Sequence, residues 1–292
     1  MNVVLTLTRR NLIVFVRDPL SILFSLLGPL ILFLLYKLFL GELQVASIIG
    51  HAPDADLRQV HGFVDAWMFG GIVALSTMTT PLSALSVFMD DAGSNRFRDF
   101  LVSPINRRQL VLGYLLAAFT VGMVMTVLVL AIGLLYLGLV SGVVPGVPEV
   151  TSALGWVLLS TAAFTAMWAL VVSFLRTNGA FSAVSTIVGT AVGFVAGAYI
   201  PLGLIPGAVR STLSAFPFAQ SAMLLRQSLA AHSLSSLVGS NATAIDTLNE
   251  FYGIDLTVAG WAVPTWYAIG VLGLVAVVFT VLAAARVRGR IR

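Results

Sequence analysis

The chain has 292 residues, 59% of them hydrophobic and only 10% charged, with a mean hydropathy of +1.01. Soluble globular domains carry roughly a quarter charged residues, so a water-soluble enzyme or binding module is excluded and an integral membrane protein is expected. No cysteine is present, which excludes disulfides and thiolate metal sites, and the net charge of +4 is distributed in a way that speaks against nucleic acid as a partner.

Residues 1–19 mix apolar positions with Arg9, Arg10 and Arg17 and read either as an interfacial helix on the inner leaflet or as a basic tail. The apolar run that follows is longer than a signal-peptide core and lacks a convincing A-x-A site, so a retained first span is expected. A bilayer core about 30 Å thick takes about 20 apolar residues per helix. Six uncharged runs meet that length: 20–40, 63–89, 110–140, 153–175, 180–200 and 266–285. They are apolar on all faces, without the alternation of barrel strands, so the fold class is all-α and polytopic, one transmembrane domain over residues 1–292 with six membrane-spanning helices. The second and third runs exceed a straight span and are expected to tilt or project.

Arginines alternate with these runs. Arg9, Arg10 and Arg17, then Arg96, Arg98, Arg107 and Arg108, then Arg176, and finally Arg286, Arg288, Arg290 and Arg292 fall on one side; Lys37, Arg58, Arg210 and Arg226 fall on the other. By the positive-inside bias both termini are cytoplasmic.

Several chemistries are missing. Lys37 is the sole lysine, so no Walker A loop exists to hold ATP. No run has an ionisable residue near its centre, as ion-coupled carriers do. His51, His61 and His232 lack metal-ligand spacing, and no G-x-S-x-G elbow occurs. Neither a catalytic nor a metal site is expected.

Charge concentrates instead in residues 90–109, which begin DDAGSNRFRDFLVSPINRR at Asp90. Gly93 breaks the preceding helix. Phe97, Phe100 and Leu101 recur at i, i+3 and i+4, so a short amphipathic helix presents them on one face with Arg96, Arg98 and Asp99 elsewhere. Ser103-Pro104 ends it. Such a segment either docks into a groove on a soluble partner or is a solvated loop whose arginines fix orientation.

The order of motifs resembles that of the ATP-binding-cassette (ABC) type 2 permeases, over essentially the whole chain. Three stretches carry the likeness: the acidic pair and the F-L-x-S-P-I-x-R-R-x-L-x-x-G pattern that runs to Gly113, Arg17-Asp18-Pro19 before the first run, and the proline-punctuated AYIPLGLIPGAVRSTLSAFPFAQSAMLLRQSLA from Ala198. Tyr114 stands where many members carry Lys, and Ser94-Asn95-Arg96 replaces the usual Thr-Leu-Glu. The resemblance implies the permease half of a bacterial exporter in the inner or plasma membrane. Such a permease pairs with a second, identical permease and with two nucleotide-binding ATPase subunits, which hold ATP and magnesium; the chain itself binds no cofactor. Arg96, Phe97, Arg98, Asp99, Phe100, Leu101, Arg107 and Arg108 would then contact the ATPase.

Residues 201–263 are too polar and interrupted for a span. Pro201, Pro206 and Pro217 point to short re-entrant helices capping the outer end, against the plainer reading of an ordinary loop. Most intramembrane hydroxyls lie in the second and fifth runs, where they either pack helices together or face substrate. In the resembled family the first, second and fifth spans line the route, which makes Ser25, Thr77, Thr80, Ser83, Ser185 and Thr186 candidate pathway residues. A smooth, uncharged route suits a hydrophobic or amphipathic cargo such as a drug, antibiotic or glycolipid. Gly189, Gly193 and Gly197 form a small-residue stripe for close approach of the second permease, or for packing within one subunit. The rival functions are a passive channel or ion-coupled carrier, and a membrane scaffold that transports nothing.

Overall fold

The computed structural model describes residues 3–94, 106–239 and 242–290, so the candidate contact residues Arg96, Phe97, Arg98, Asp99, Phe100 and Leu101 lie outside the described residues. Helix α1 (Val3–Val16) buries Leu7, Thr8, Asn11 and Phe15 and leaves Leu5, Ile13 and Val16 exposed. The chain then turns at Asp18. Its carboxylate accepts from the backbone N–H of Leu20 at 3.1 Å and from the hydroxyl of Ser21 at 2.6 Å, while Pro19, whose missing N–H is no loss at a first helical position, opens α2 (Pro19–Leu35). The Arg-Asp-Pro motif is therefore a helix start.

A π-helical turn (Tyr36–Leu40) carries α2 into α3 (Gly41–His51), so the first span runs over residues 19–50 and stops only ahead of Pro53, well past the end of its apolar run at residue 40. Asp56 caps α4 (Leu57–Ala84) by accepting from Arg58 N–H at 2.9 Å. With α5 (Ser86–Gly93) it makes the second span. The third span is α6 (Arg107–Tyr136) and the π-helical turn Leu137–Ser141; at its start the Asn106 N–H donates to Gln109 Oε1 at 3.2 Å, one half of a capping box. The fourth is α7 (Val147–Phe174), the fifth α8 (Asn178–Val195), capped by Thr177, and the sixth α13 (Thr265–Arg290).

The protein is thus an all-α, multi-pass membrane protein with six helices long and apolar enough to cross a bilayer among the described residues. The strands among those residues are the two-residue pair β1 (Thr257–Val258) and β2 (Trp261–Ala262). Helix α4 is buried along most of its length, with α2, α6 and α7 against it and α13 along α7. Side chains such as Ile132, Leu135, Leu274, Val277 and Val281 point outward, as a lipid-facing surface requires.

One end of the bundle, here the near end, gathers α1, the start of α6 and α8 and the close of the second span; Arg286, 4.7 Å over the Phe174 ring, brings the close of α7 and of α13 together as well. The far end holds residues 201–239 and 242–263. After a 3₁₀ turn (Leu202–Leu204) come α9 (Gly207–Ser214), α10 (Pro217–Leu229), α11 (Ala231–Val238) and α12 (Ala242–Tyr252). Helix α10 packs on α4 and α7 and is buried from Ala219 to Arg226, so the chain dips back into the bundle there.

Candidate functional site

The near end is organised around the acidic pair. Asp91 is 1% exposed and takes both prongs of the Arg10 guanidinium from α1: Nη2 donates to Oδ1 at 2.9 Å and Nη1 to Oδ2. Tyr114 on α6 donates its hydroxyl to Asp91 Oδ2 at 2.5 Å and sets its ring edge-on to Phe88, 5.2 Å away. Asp90 is exposed and accepts from Asn178 Nδ2, at the start of α8, at 3.1 Å. A two-pronged guanidinium pair is short, directional and charge-assisted, and Asp91 holds Arg10 above its ordinary pKa range through that hydrogen bond. Arg10 and Tyr114 together give Asp91 the charge and the donors that a lysine at position 114 would combine in one side chain.

The second span therefore closes on a point tied to α1, α6 and α8 at once. Where the described structure resumes, Arg107 is the first residue of α6 and Arg108 is exposed beside it.

The far end poses a different problem. Helix α8 stops at Val195, five residues before the end of its apolar run, because Gly197 takes a left-handed φ of +63° and Pro201 follows. The carbonyls freed there need donors, because a buried carbonyl left unpaired is costly. Gly197 O accepts from Arg226 Nη2 at 2.5 Å; Ala198 O and Tyr199 O both face the Tyr36 hydroxyl, at 3.2 and 3.1 Å. Arg226 is 1% exposed, with its guanidinium carbon 4.8 Å from the Trp67 ring centre. Gly70 gives it room, since a Cβ there would stand 2.8 Å from Arg226 Cγ. Its Nε and Nη1 have no partner among the described residues, and burial pushes the guanidinium down to about 10. Trp67 in turn donates Nε1 to Tyr252 O at 2.6 Å, which ties α12 to α4.

The candidate pathway residues differ in burial and in partners. Thr77 and Thr80 are buried and donate to Ala74 O (2.6 Å) and Ser76 O (2.8 Å) of their own helix; Thr80 also faces Thr126 of α6 at 3.5 Å. Ser25 is buried and donates to Ile22 O at 2.7 Å. Ser83 is half-buried, as is Ser185, whose hydroxyl has no partner among the described residues. Thr186 is exposed on α8 and donates to Ser182 O.

The glycine stripe is only partly covered. Gly197 lies beyond the end of α8, and a Cβ on Gly193 would sit 2.2 Å from the Tyr199 ring, which covers that face while the Tyr199 hydroxyl donates to Gly189 O at 3.1 Å. The broken helix thus folds its own tyrosine back over Gly193 and turns at Gly197, while a Cβ on Gly189 would meet nothing within 4 Å. Beside them, Leu35, Phe39, Thr190, Phe194, Tyr199 and Ile200 line an apolar groove of about 520 Å³ between the first and fifth spans. A smaller apolar cavity, about 160 Å³, lies among α2, α4 and α6. Among the described residues no three His, Asp or Glu side chains converge as metal ligands.

Two long-range clusters were hidden in the linear sequence. Asp91 stood in a recognised acidic pair, but its partner sits in a different helix. Arg226 was visible as the one charge in the apolar stretch Ser211–Ala231, a signal of a buried cation that counting it as a loop charge concealed.

The family model described as ABC-2 type transporter matches residues 2–249, which take in α1, five of the six spans and most of the far-end segment. No curated protein matches the chain.

Proposed function

The chain belongs to the ABC-2 type transporter family and is an ABC permease subunit; we propose that it works as an exporter, moving a hydrophobic or amphipathic drug, antibiotic or lipid-like molecule outward. ATP is hydrolysed on two separate nucleotide-binding subunits, and a second, identical permease completes the route, in a bacterial plasma membrane with the near end in the cytoplasm.

The observation that carries this reading is the Asp90–Asp91 knot. A segment that docks on an ATPase does work only if its displacement reaches several spans together, and packed helices move as units between discrete arrangements. A displacement that reaches Asp91 is passed through Arg10 and Tyr114 to α1 and α6, and Asp90 passes it to α8 through Asn178. The groove between the first and fifth spans is apolar, which favours cargo without formal charge. Exposed Ile187 and Phe194 on α8 offer the second permease an apolar face.

The test is purification from native membranes in mild detergent, with an assay of vanadate-sensitive ATP hydrolysis. A stoichiometric ATPase subunit is expected, and F97D is expected to release it without preventing membrane insertion. Transport in vesicles that runs at full rate without ATP would overturn the reading in favour of a channel or carrier.

A further inference from the structure

At the far end, the first turn of α4, the turn after the third span and α11 enclose a pocket of about 320 Å³ whose lining includes Asp56, Arg58, Gln59, Ser141, His232 and Ser233. Three features mark it as a site rather than a gap. The Arg58 guanidinium has neither an ion pair nor a hydrogen-bond partner among the described residues; it lies over Gly142, where a Cβ would stand 3.0 Å from Nη2. Ser233 is 7% exposed and its hydroxyl has no partner among those residues, although helical serines commonly donate one turn back, as Ser228 does to Leu224 O at 3.3 Å. Asp56 uses Oδ1 on its helix cap, which leaves Oδ2 open.

The remaining hydroxyls are engaged: Ser141 donates to Asp65 Oδ2 at 2.6 Å and Ser236 to the His232 carbonyl at 2.9 Å. Beside the pocket the close of the third span and the link into the fourth present Leu139, Val140, Val144 and Val147, 62% to 77% exposed. A cation, a carboxylate and a buried free hydroxyl at the rim of a lipid-facing wall match a molecule with a phosphate, an ammonium and acyl chains.

We propose that this pocket binds the phosphoethanolamine headgroup of a phospholipid. The phosphate lies against Arg58 and accepts from Ser233, the ammonium lies against Asp56, and an acyl chain runs along Leu139, Val140 and Val144. The bound lipid bridges α4, the third span and α11, so it holds the far-end cap in place whatever the cargo is.

The experiment offers the detergent-purified chain equal amounts of phosphatidylethanolamine and phosphatidylglycerol and counts the lipid retained after washing by native mass spectrometry. Retention of phosphatidylethanolamine is expected to be favoured, to weaken about tenfold in R58Q, as loss of a charge-assisted hydrogen bond predicts, and to survive in R58K. S233A is expected to weaken retention while leaving the lipid-free unfolding temperature unchanged or higher, which a purely structural serine would not do. D56N is expected to shift the preference toward phosphatidylglycerol. Phosphoethanolamine without acyl chains is expected to compete only weakly; competition as strong as that of the intact lipid would replace the lipid with a soluble phosphate ester and overturn the proposal. Equal retention of the two lipids by the unsubstituted protein, or unchanged retention in R58Q and S233A, overturns it as well.

Discussion

Arg10 and Asp91 stand 81 residues apart in sequence and meet at the near end of the bundle through two hydrogen bonds, with the carboxylate 1% exposed and the guanidinium 31% exposed. Their burial differs, so their removal has unequal effects. R10Q removes the charge that faces a buried carboxylate and should destabilise the protein by about 3 kcal/mol. D91N leaves a guanidinium that water reaches, and should destabilise it less. The double variant should recover part of the loss, and unfolding temperatures in detergent would show a positive coupling energy between the two sites. Additive losses would mean that the pair is not a unit.

Tyr114 tests the same knot from α6. Y114F removes one hydrogen bond to a charged group and keeps the ring against Phe88, so a loss of about 1.5 kcal/mol is expected. Y114K restores a donor and adds a charge, and should retain ATPase-coupled transport better than Y114F. If Y114F transports normally, the link between Asp91 and α6 does not transmit the nucleotide-driven movement.

The spans and the knot differ in how far they could be foreseen. A helix that is apolar on all sides must be buried, and six of them at spanning length in a chain of 292 residues point to the bilayer, so the six runs announced themselves by length and composition. Their ends were less legible. The first span overruns its apolar run because nothing breaks the helix before Pro53, whereas the fifth falls short because Gly197 turns left-handed inside an apolar run. Arg-Asp-Pro and Asn106 with Gln109 are local signals, a cap and a capping box, and both could be read directly. Arg10 with Asp91 and Arg226 with Gly197 are long-range pairings created by packing, and periodicity carries no record of them. The cover over Gly193 is of the same kind, since Tyr199 folds back onto it from beyond the helix end.

Asp18 predicts an acid limb in the stability curve. The Ser21 hydroxyl, then the backbone N–H groups of Ser21 and Leu20, hold its carboxyl below the ordinary value of 3.8. The folded chain thus binds this proton less readily than the unfolded one, so the contribution of the cap is complete above the unfolded value and is lost as pH falls through the folded one. Unfolding temperature should decline below about pH 4. D18N, which caps without titrating, should flatten that part of the decline; a D18N curve parallel to that of the unsubstituted protein would place the acid sensitivity in other carboxylates.

Arg226 gives the sharpest test of the far end, because its two contributions have opposite signs. Its Nη2 satisfies the carbonyl that the broken fifth span exposes, which stabilises the break, while Nε and Nη1 are buried without partners, which destabilises it. R226A loses the donor and opens a void beside Trp67, and should cost about 4 kcal/mol. R226M loses the donor but fills the space and removes the unpaired charge, and should cost only about 1 kcal/mol. R226K keeps a charge that is more strongly hydrated and reaches less far, and should fall below R226M. Unfolding temperatures in the order R226M, R226K, R226A would identify Arg226 as a brace for the re-entrant helix. If instead R226M is stable yet transports nothing, the buried charge itself takes part in the transport cycle, and the partners it lacks in this arrangement are met in another.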